Sequence, residues 1–197
     1  EIRVADPNDP SSGSGMFVNG SIEEGEVLYS IPWDLIIKPD EFDISKARPS
    51  LLSCGTAQSL LRELRLEEKS TFGPYLKYFH SFERGGLIAE WSDAGYDLLK
   101  KVLGPLFSAR SNWIKYWHET CGGGSDPLEE KAAMYVVTRA EDFLLIPLFD
   151  LANHRNGHMN YNYENKKLEV EEGVSANGIA TRDIVAGGEN YYFFYFF

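Results

Sequence analysis

Ile146-Pro-Leu-Phe-Asp-Leu-Ala-Asn-His154 is the stretch on which the fold of this chain turns. It overlaps the apolar run Leu144-Leu-Ile-Pro-Leu-Phe149, and sets Asp150, Asn153 and His154 where a buried strand has just ended. Polar groups in such a place need hydrogen-bond partners. Taken by themselves, Asn153 and His154 suit a turn that holds a satisfied histidine. A metal reading also presents itself, because Asp150, His154 and His158 recur every four residues and would share one helical face. Asn156-Gly157 breaks such a helix between the two histidines and no further strong ligand accompanies them, so no metal is expected.

Upstream of this stretch the pattern is helical. Ala57, Leu60, Leu61 and Leu64 fall at i, i+3, i+4 and i+7 among Arg62, Glu63 and Arg65, which predicts an amphipathic helix from Thr56. After Pro105, Leu106, Ala109, Trp113 and either Tyr116 or Trp117 share a second helical face, which Gly122 to Gly124 end. Asp126-Pro127-Leu128-Glu129 then restarts the helix: Asp126 caps, Pro127 takes the first position and Glu129 reaches back as in a capping box, with the helix running to about Thr138. Arg139, by itself, reads as a solvated helix end.

On both sides of this helical middle the sequence reads as strands. In the first fifty residues Gly13, Gly15, Asn19-Gly20 and Gly25 punctuate the apolar stretches Met16 to Val18, Val27 to Ile31 and Leu35 to Ile37. Past residue 142, Phe143 to Ile146, Asn160 to Tyr163, Leu168 to Val170, Gly178 to Thr181 and Tyr191 to Tyr195 are short runs between Asn, Gly and Lys. The order β, α, β predicts an α+β fold whose two β parts pack together around an inserted helical segment. The final run, Tyr191-Tyr-Phe-Phe-Tyr-Phe-Phe197, would be an aggregation hazard if exposed and is expected to pack inside or against a further segment.

Composition narrows the partners. The 197 residues are 43% hydrophobic and 25% charged, with a formal net charge of −11, as in an ordinary globular domain without a basic face for nucleic acid. A cationic partner such as a lysine-rich segment is easier to accommodate. No apolar run approaches the roughly 20 residues of a membrane span. The chain opens on Glu1 instead of Met, which leaves room for a leader or upstream domain. Cys54 and Cys121 stand far apart and form neither a disulfide framework nor a CxxC zinc site, which favours a reducing, intracellular setting, with cytoplasm, nucleus and plastid all open.

Taken together, these stretches resemble the SET-domain family, in the branch of the Rubisco large-subunit lysine methyltransferase and its actin-directed relative. The likeness covers nearly the whole chain. Ser12-Gly-Ser-Gly-Met-Phe-Val18 and Ser21-Ile-Glu-Glu-Gly-Glu-Val-Leu-Tyr-Ser-Ile-Pro32 are similar to the family's opening glycine turn and following strand. Gly73-Pro-Tyr-Leu76 and Trp91 resemble the branch's insertion, and Val137-Thr-Arg139 its arginine segment. The whole string from Ile146 to His154 repeats in the family, and Thr181-Arg-Asp-Ile-Val-Ala-Gly-Gly-Glu-Asn-Tyr-Tyr-Phe-Phe-Tyr195 is similar to its closing stretch. Phe196 departs from the family's usual Gly or Asp, and the likeness implies a chain truncated before a helical substrate-binding domain.

What the resemblance implies is a β-clip of short strands, with 1–55 and 136–197 forming a SET domain around a helical insertion at 56–135. It implies S-adenosyl-L-methionine as cofactor, with Ser12, Gly13, Ser14, Arg139, Asp150, Asn153 and His154 around it, Tyr195 as the catalytic tyrosine and Tyr163, or Tyr161, as a wall of the substrate channel. The activity implied is methylation of a protein lysine, intracellularly. Protein-histidine methylation in the same branch and a non-catalytic truncated fragment are the alternatives.

Overall fold

The computed structural model describes residues 2–6, 9–41, 53–81, 91–104, 109–141, 143–150, 153–154, 166–187 and 191–192. Two compact units are present: a sheet unit, Glu1–Ile36 with Ile146–Phe197, and a helical unit, Ile37–Leu145. Among the described residues, no helix is long and apolar enough to cross a membrane.

In the sheet unit, β1 (Ile2–Asp6) pairs antiparallel with β2 (Asp9–Met16). β3 (Val27–Pro32), β5 (Lys166–Glu171) and β6 (Ser175–Ala180) form a three-stranded antiparallel sheet with β6 in the centre. The central position goes to the strand with the smallest side chains. Ala176, Gly178 and Ala180 recur every second residue and are buried, so a large neighbour can close over them. Tyr29 does so: it stands opposite Gly178 in the register, and a Cβ there would lie 2.5 Å from Tyr29 Cζ. β4 (Asn153–His154) and β7 (Tyr191–Tyr192) form a separate parallel pair. Leu35 to Ile37 does not continue the sheet; a 3-10 turn occupies Trp33–Leu35, led by Pro32, and its backbone is tied down by Trp33 N donating to Val174 O.

The helical unit contains α1 (Cys54–Leu66), α2 (Gly73–Ser81), α3 (Asp93–Leu103), α4 (Ala109–Glu119) and α5 (Pro127–Arg139). The apolar stripe of α1 is buried as its spacing predicts: Ala57, Leu60, Leu61 and Leu64 pack with Trp117, Ala132, Ala133, Tyr135 and Val136. On α4 it is Trp117 that turns inward, at 1% exposure, while Tyr116 stays exposed. Ser53 caps α1 by accepting from Thr56 N. The Thr56 hydroxyl donates to the Phe143 carbonyl and lies 2.8 Å from Ser53 Oγ, so the start of α1 is anchored to the segment that leaves the unit.

Two sequence expectations are corrected here. Asp126 caps α5 through Leu128 N and Pro127 opens it, but Glu129 does not close a capping box. Its carboxylate accepts from Gly124 N at 2.6 Å and from Arg65 at 2.8 Å, because the glycine turn folds back in front of the helix and competes for it. The two cysteines, read as standing apart, are joined. Cys54 and Cys121 are 67 residues apart in sequence, yet α1 and α4 both pack on α5 and bring their Cα atoms to 5.1 Å with the sulfurs bonded. Closing a loop of that length stabilises the folded chain by about 4 kcal/mol in the chain-entropy account.

The indole of Trp117 lies against Gly123, and its Nε1 donates to Gly124 O at 3.3 Å. A Cβ at position 123 would fall within the ring. Gly123→Ala is expected to destabilise the chain by roughly 1–3 kcal/mol, whereas Gly20→Ala, whose Cβ would meet nothing within 4 Å, leaves the unfolding midpoint in urea unchanged. Equal midpoints for the two variants would show that the indole does not occupy this place.

Candidate functional site

Asp150 is a carboxylate at 6% exposure on the stretch that decides the fold. The apolar half of that stretch delivers it there. Ile146 and Phe149 are each 1% exposed, and the turn between them is closed by Asp150 N donating to Ile146 O at 3.3 Å. To make this turn Leu148 adopts φ 69°, the left-handed region that costs a non-glycine residue of order 1 kcal/mol or more. The segment is thus a turn with a buried floor rather than the end of a regular strand.

Three residues on, the chain enters β4, where Asn153 pairs with Tyr191 and His154 with Tyr192. The backbone of β2, which carries Ser12, Gly13 and Ser14, lies beside β4. β2, β4 and β7 are therefore linked as neighbours in the sheet unit, β4 touching both of the others. Of the remaining sequence-predicted residues, Arg139 is the last residue of α5 and belongs to the helical unit. Tyr195, Tyr163, Tyr161 and His158 lie outside the described residues.

Tyr29 is a residue the sequence alone did not single out for the site. Its ring closes over Gly178, and burial followed by the nearby Asp150 carboxylate pushes its phenol far above the usual tyrosine range. The only signal for it was a tyrosine in a strand opposite a glycine, and that register cannot be read before the sheet is known. The arrangement holds a neutral phenol near a buried carboxylate, in the same unit as β2, β4 and β7.

The sign of the resulting pH dependence is fixed. Unfolded Tyr29 loses its proton near pH 10 while the folded phenol keeps it, so this group's contribution to stability is complete below about pH 10 and falls above it by about 1.4 kcal/mol per pH unit. Urea unfolding of the parent and Tyr29→Phe between pH 9 and 11.5 should show the steeper alkaline loss in the parent only. Parallel curves would mean that the phenol ionises as readily folded as unfolded.

No protein-family model matches the chain, and no curated protein matches it. Among solved structures it is similar to a crystal structure of the SET domain of LSMT bound to lysine and AdoHcy, with 17% sequence identity and a TM-score of 0.58. The match covers 99% of this chain and 49% of that one, so the chain spans about half the length of its structural relative. At this identity the likeness speaks for the architecture: the chain has an α+β fold of the SET-domain kind.

Proposed function

We propose that the chain is an S-adenosylmethionine-dependent protein-lysine N-methyltransferase. One observation carries the reading. In a SET-type fold, β2 with Ser12, Gly13 and Ser14 lies beside β4 with Asn153 and His154, and β4 pairs with β7, three residues before Tyr195. These are the segments in which the family resemblance puts the cofactor and the catalytic tyrosine. The structural relative, crystallised with lysine and AdoHcy, supports the same ligand classes. AdoHcy is what S-adenosylmethionine becomes once its methyl group has left.

The residue types fit such a ligand. Serine hydroxyls, an asparagine amide and an imidazole are hydrogen-bonding groups suited to a purine at one end and an amino acid at the other. When bound, S-adenosylmethionine supplies a methyl group on a sulfonium, which an amine takes by in-line displacement. The protein's part is to hold nitrogen, methyl and sulfur near a line and to exclude water. A free lysine, with a pKa of about 10.4, must first lose its proton, and an apolar aromatic channel disfavours the charged form. Tyr195 orients the amine through its hydroxyl, and Tyr163 contributes a wall. Aromatic faces also accept the cationic methylated product.

In this proposal, residues 1–55 and 136–197 make up the SET domain, 56–135 its helical insertion, and the substrate is an intracellular protein that presents a lysine. Calorimetric titration with S-adenosylmethionine tests the pocket. Saturable binding by the parent, at least about tenfold weaker in Asn153→Ala and unchanged in Tyr195→Phe, is expected. Methyl transfer to a lysine-bearing protein, followed by mass, should fall in both variants, and substituting the target lysine should abolish it. A folded parent that binds no S-adenosylmethionine would refute the proposal.

A further inference from the structure

Cys54 is the first residue of α1, directly after the capping Ser53, and Cys121 lies in the turn that follows α4. Their surroundings differ. Cys54 is half-buried, whereas Cys121 is buried. A helix N-terminus stabilises negative charge through its unpaired N–H groups, and no acidic residue in the first turn of α1 offsets this. Such a position favours the thiolate and makes a cysteine reactive.

The turn that carries Cys121 is also held without the sulfur bond. Gln58 Nε2 donates to Cys121 O at 3.3 Å, Trp117 Nε1 donates to Gly124 O at 3.3 Å, and Glu129 accepts from Gly124 N at 2.6 Å. Two thiols in this place would stay within reach of each other, and their re-closure would need no refolding. The bond encloses α1 to α4, and these are not equally firm. α1, Leu76 and Trp117 belong to the core, whereas α3 buries Tyr96 while leaving Leu98, Val102 and Leu103 exposed. Elements with few buried apolar contacts open most readily.

We infer that the Cys54–Cys121 disulfide is a reversible redox switch, with Cys54 as its reactive sulfur, that tightens the segment around α3 when oxidised and loosens it when reduced. The reductant is a dithiol. One of its thiolates attacks Cys54 Sγ, the sulfur–sulfur bond breaks, and Cys121 leaves with the electron pair and takes up a proton. The second thiol then displaces Cys54 from the mixed disulfide, so the reductant ends as a disulfide and both cysteines as thiols. The inference does not depend on the methyl-transfer reading.

The test equilibrates the purified chain over a series of reduced-to-oxidised dithiothreitol ratios without denaturant. Free thiols are trapped with iodoacetamide and located by peptide mass, and timed proteolysis is run in parallel. One reversible transition is expected. In the reduced chain, Cys54 should be alkylated about tenfold faster than Cys121 near neutral pH. Cleavage within α3 should be about tenfold faster than in the oxidised chain. The Cys54→Ser/Cys121→Ser double variant should be cleaved at the reduced rate at every ratio; should it fail to fold, the parent's own two states supply the comparison. A bond that resists every ratio, thiols that never pair, faster alkylation of Cys121, failure to re-oxidise, or equal cleavage of the two states would each overturn the inference.

Discussion

A pair of backbone hydrogen bonds closes the base of the helical unit: Ile37 N donates to Leu145 O at 3.1 Å and Leu145 N to Ile37 O at 2.9 Å. Both residues are buried, so water does not compete for these bonds. They bring the chain back to where it left, and residues before Ile37 and after Leu145 can then contribute strands to one sheet. Loop-closure entropy grows only slowly with length, so an excursion of this size is tolerated once its ends are pinned. Inside this closure sits a second, covalent one between Cys54 and Cys121. The bond from Thr56 to Phe143 O couples the start of α1 to the outgoing segment.

β3 comes from before the excursion, β5 and β6 from after it, and β6 must lie in the middle because its small residues accept Tyr29 from β3. The same arrangement leaves a phenol that stays neutral beside a buried carboxylate. The phenol owes its protonation behaviour to the packing that also sets the sheet register, so chemistry and fold are not separable here.

Legibility in the sequence followed the range of the interactions. The stripe of α1 and the start of α5 were readable because helix periodicity and capping are local, and Asp126, Pro127, Ala57 and Leu60 behave as their spacing predicts. α3 drew no expectation of its own, since it buries little and shows its apolar residues on the outside. The disulfide, the diversion of Glu129 to Gly124 and Arg65, and the meeting of Tyr29 with Gly178 all join residues distant in the chain or folded back across a turn, and no local pattern records them. Asp150, Asn153 and His154 were singled out through a family string rather than through periodicity. The two-residue ladder that β4 forms with β7 is too short to leave any alternation to read.

That string is informative over its whole length for a physical reason. A parallel pair of two residues cannot support itself, because so short a ladder gains little against the entropy of ordering it. β4 is held in place by what precedes it: Ile146 and Phe149 are buried, and the turn between them is closed by its own backbone bond despite the strain at Leu148. The apolar half anchors the chain at Asp150, three residues before Asn153. An Asn-His pair without the Ile-Pro-Leu-Phe floor has no such constraint, which is why the dipeptide alone says little and the nine residues together specify a place in the fold.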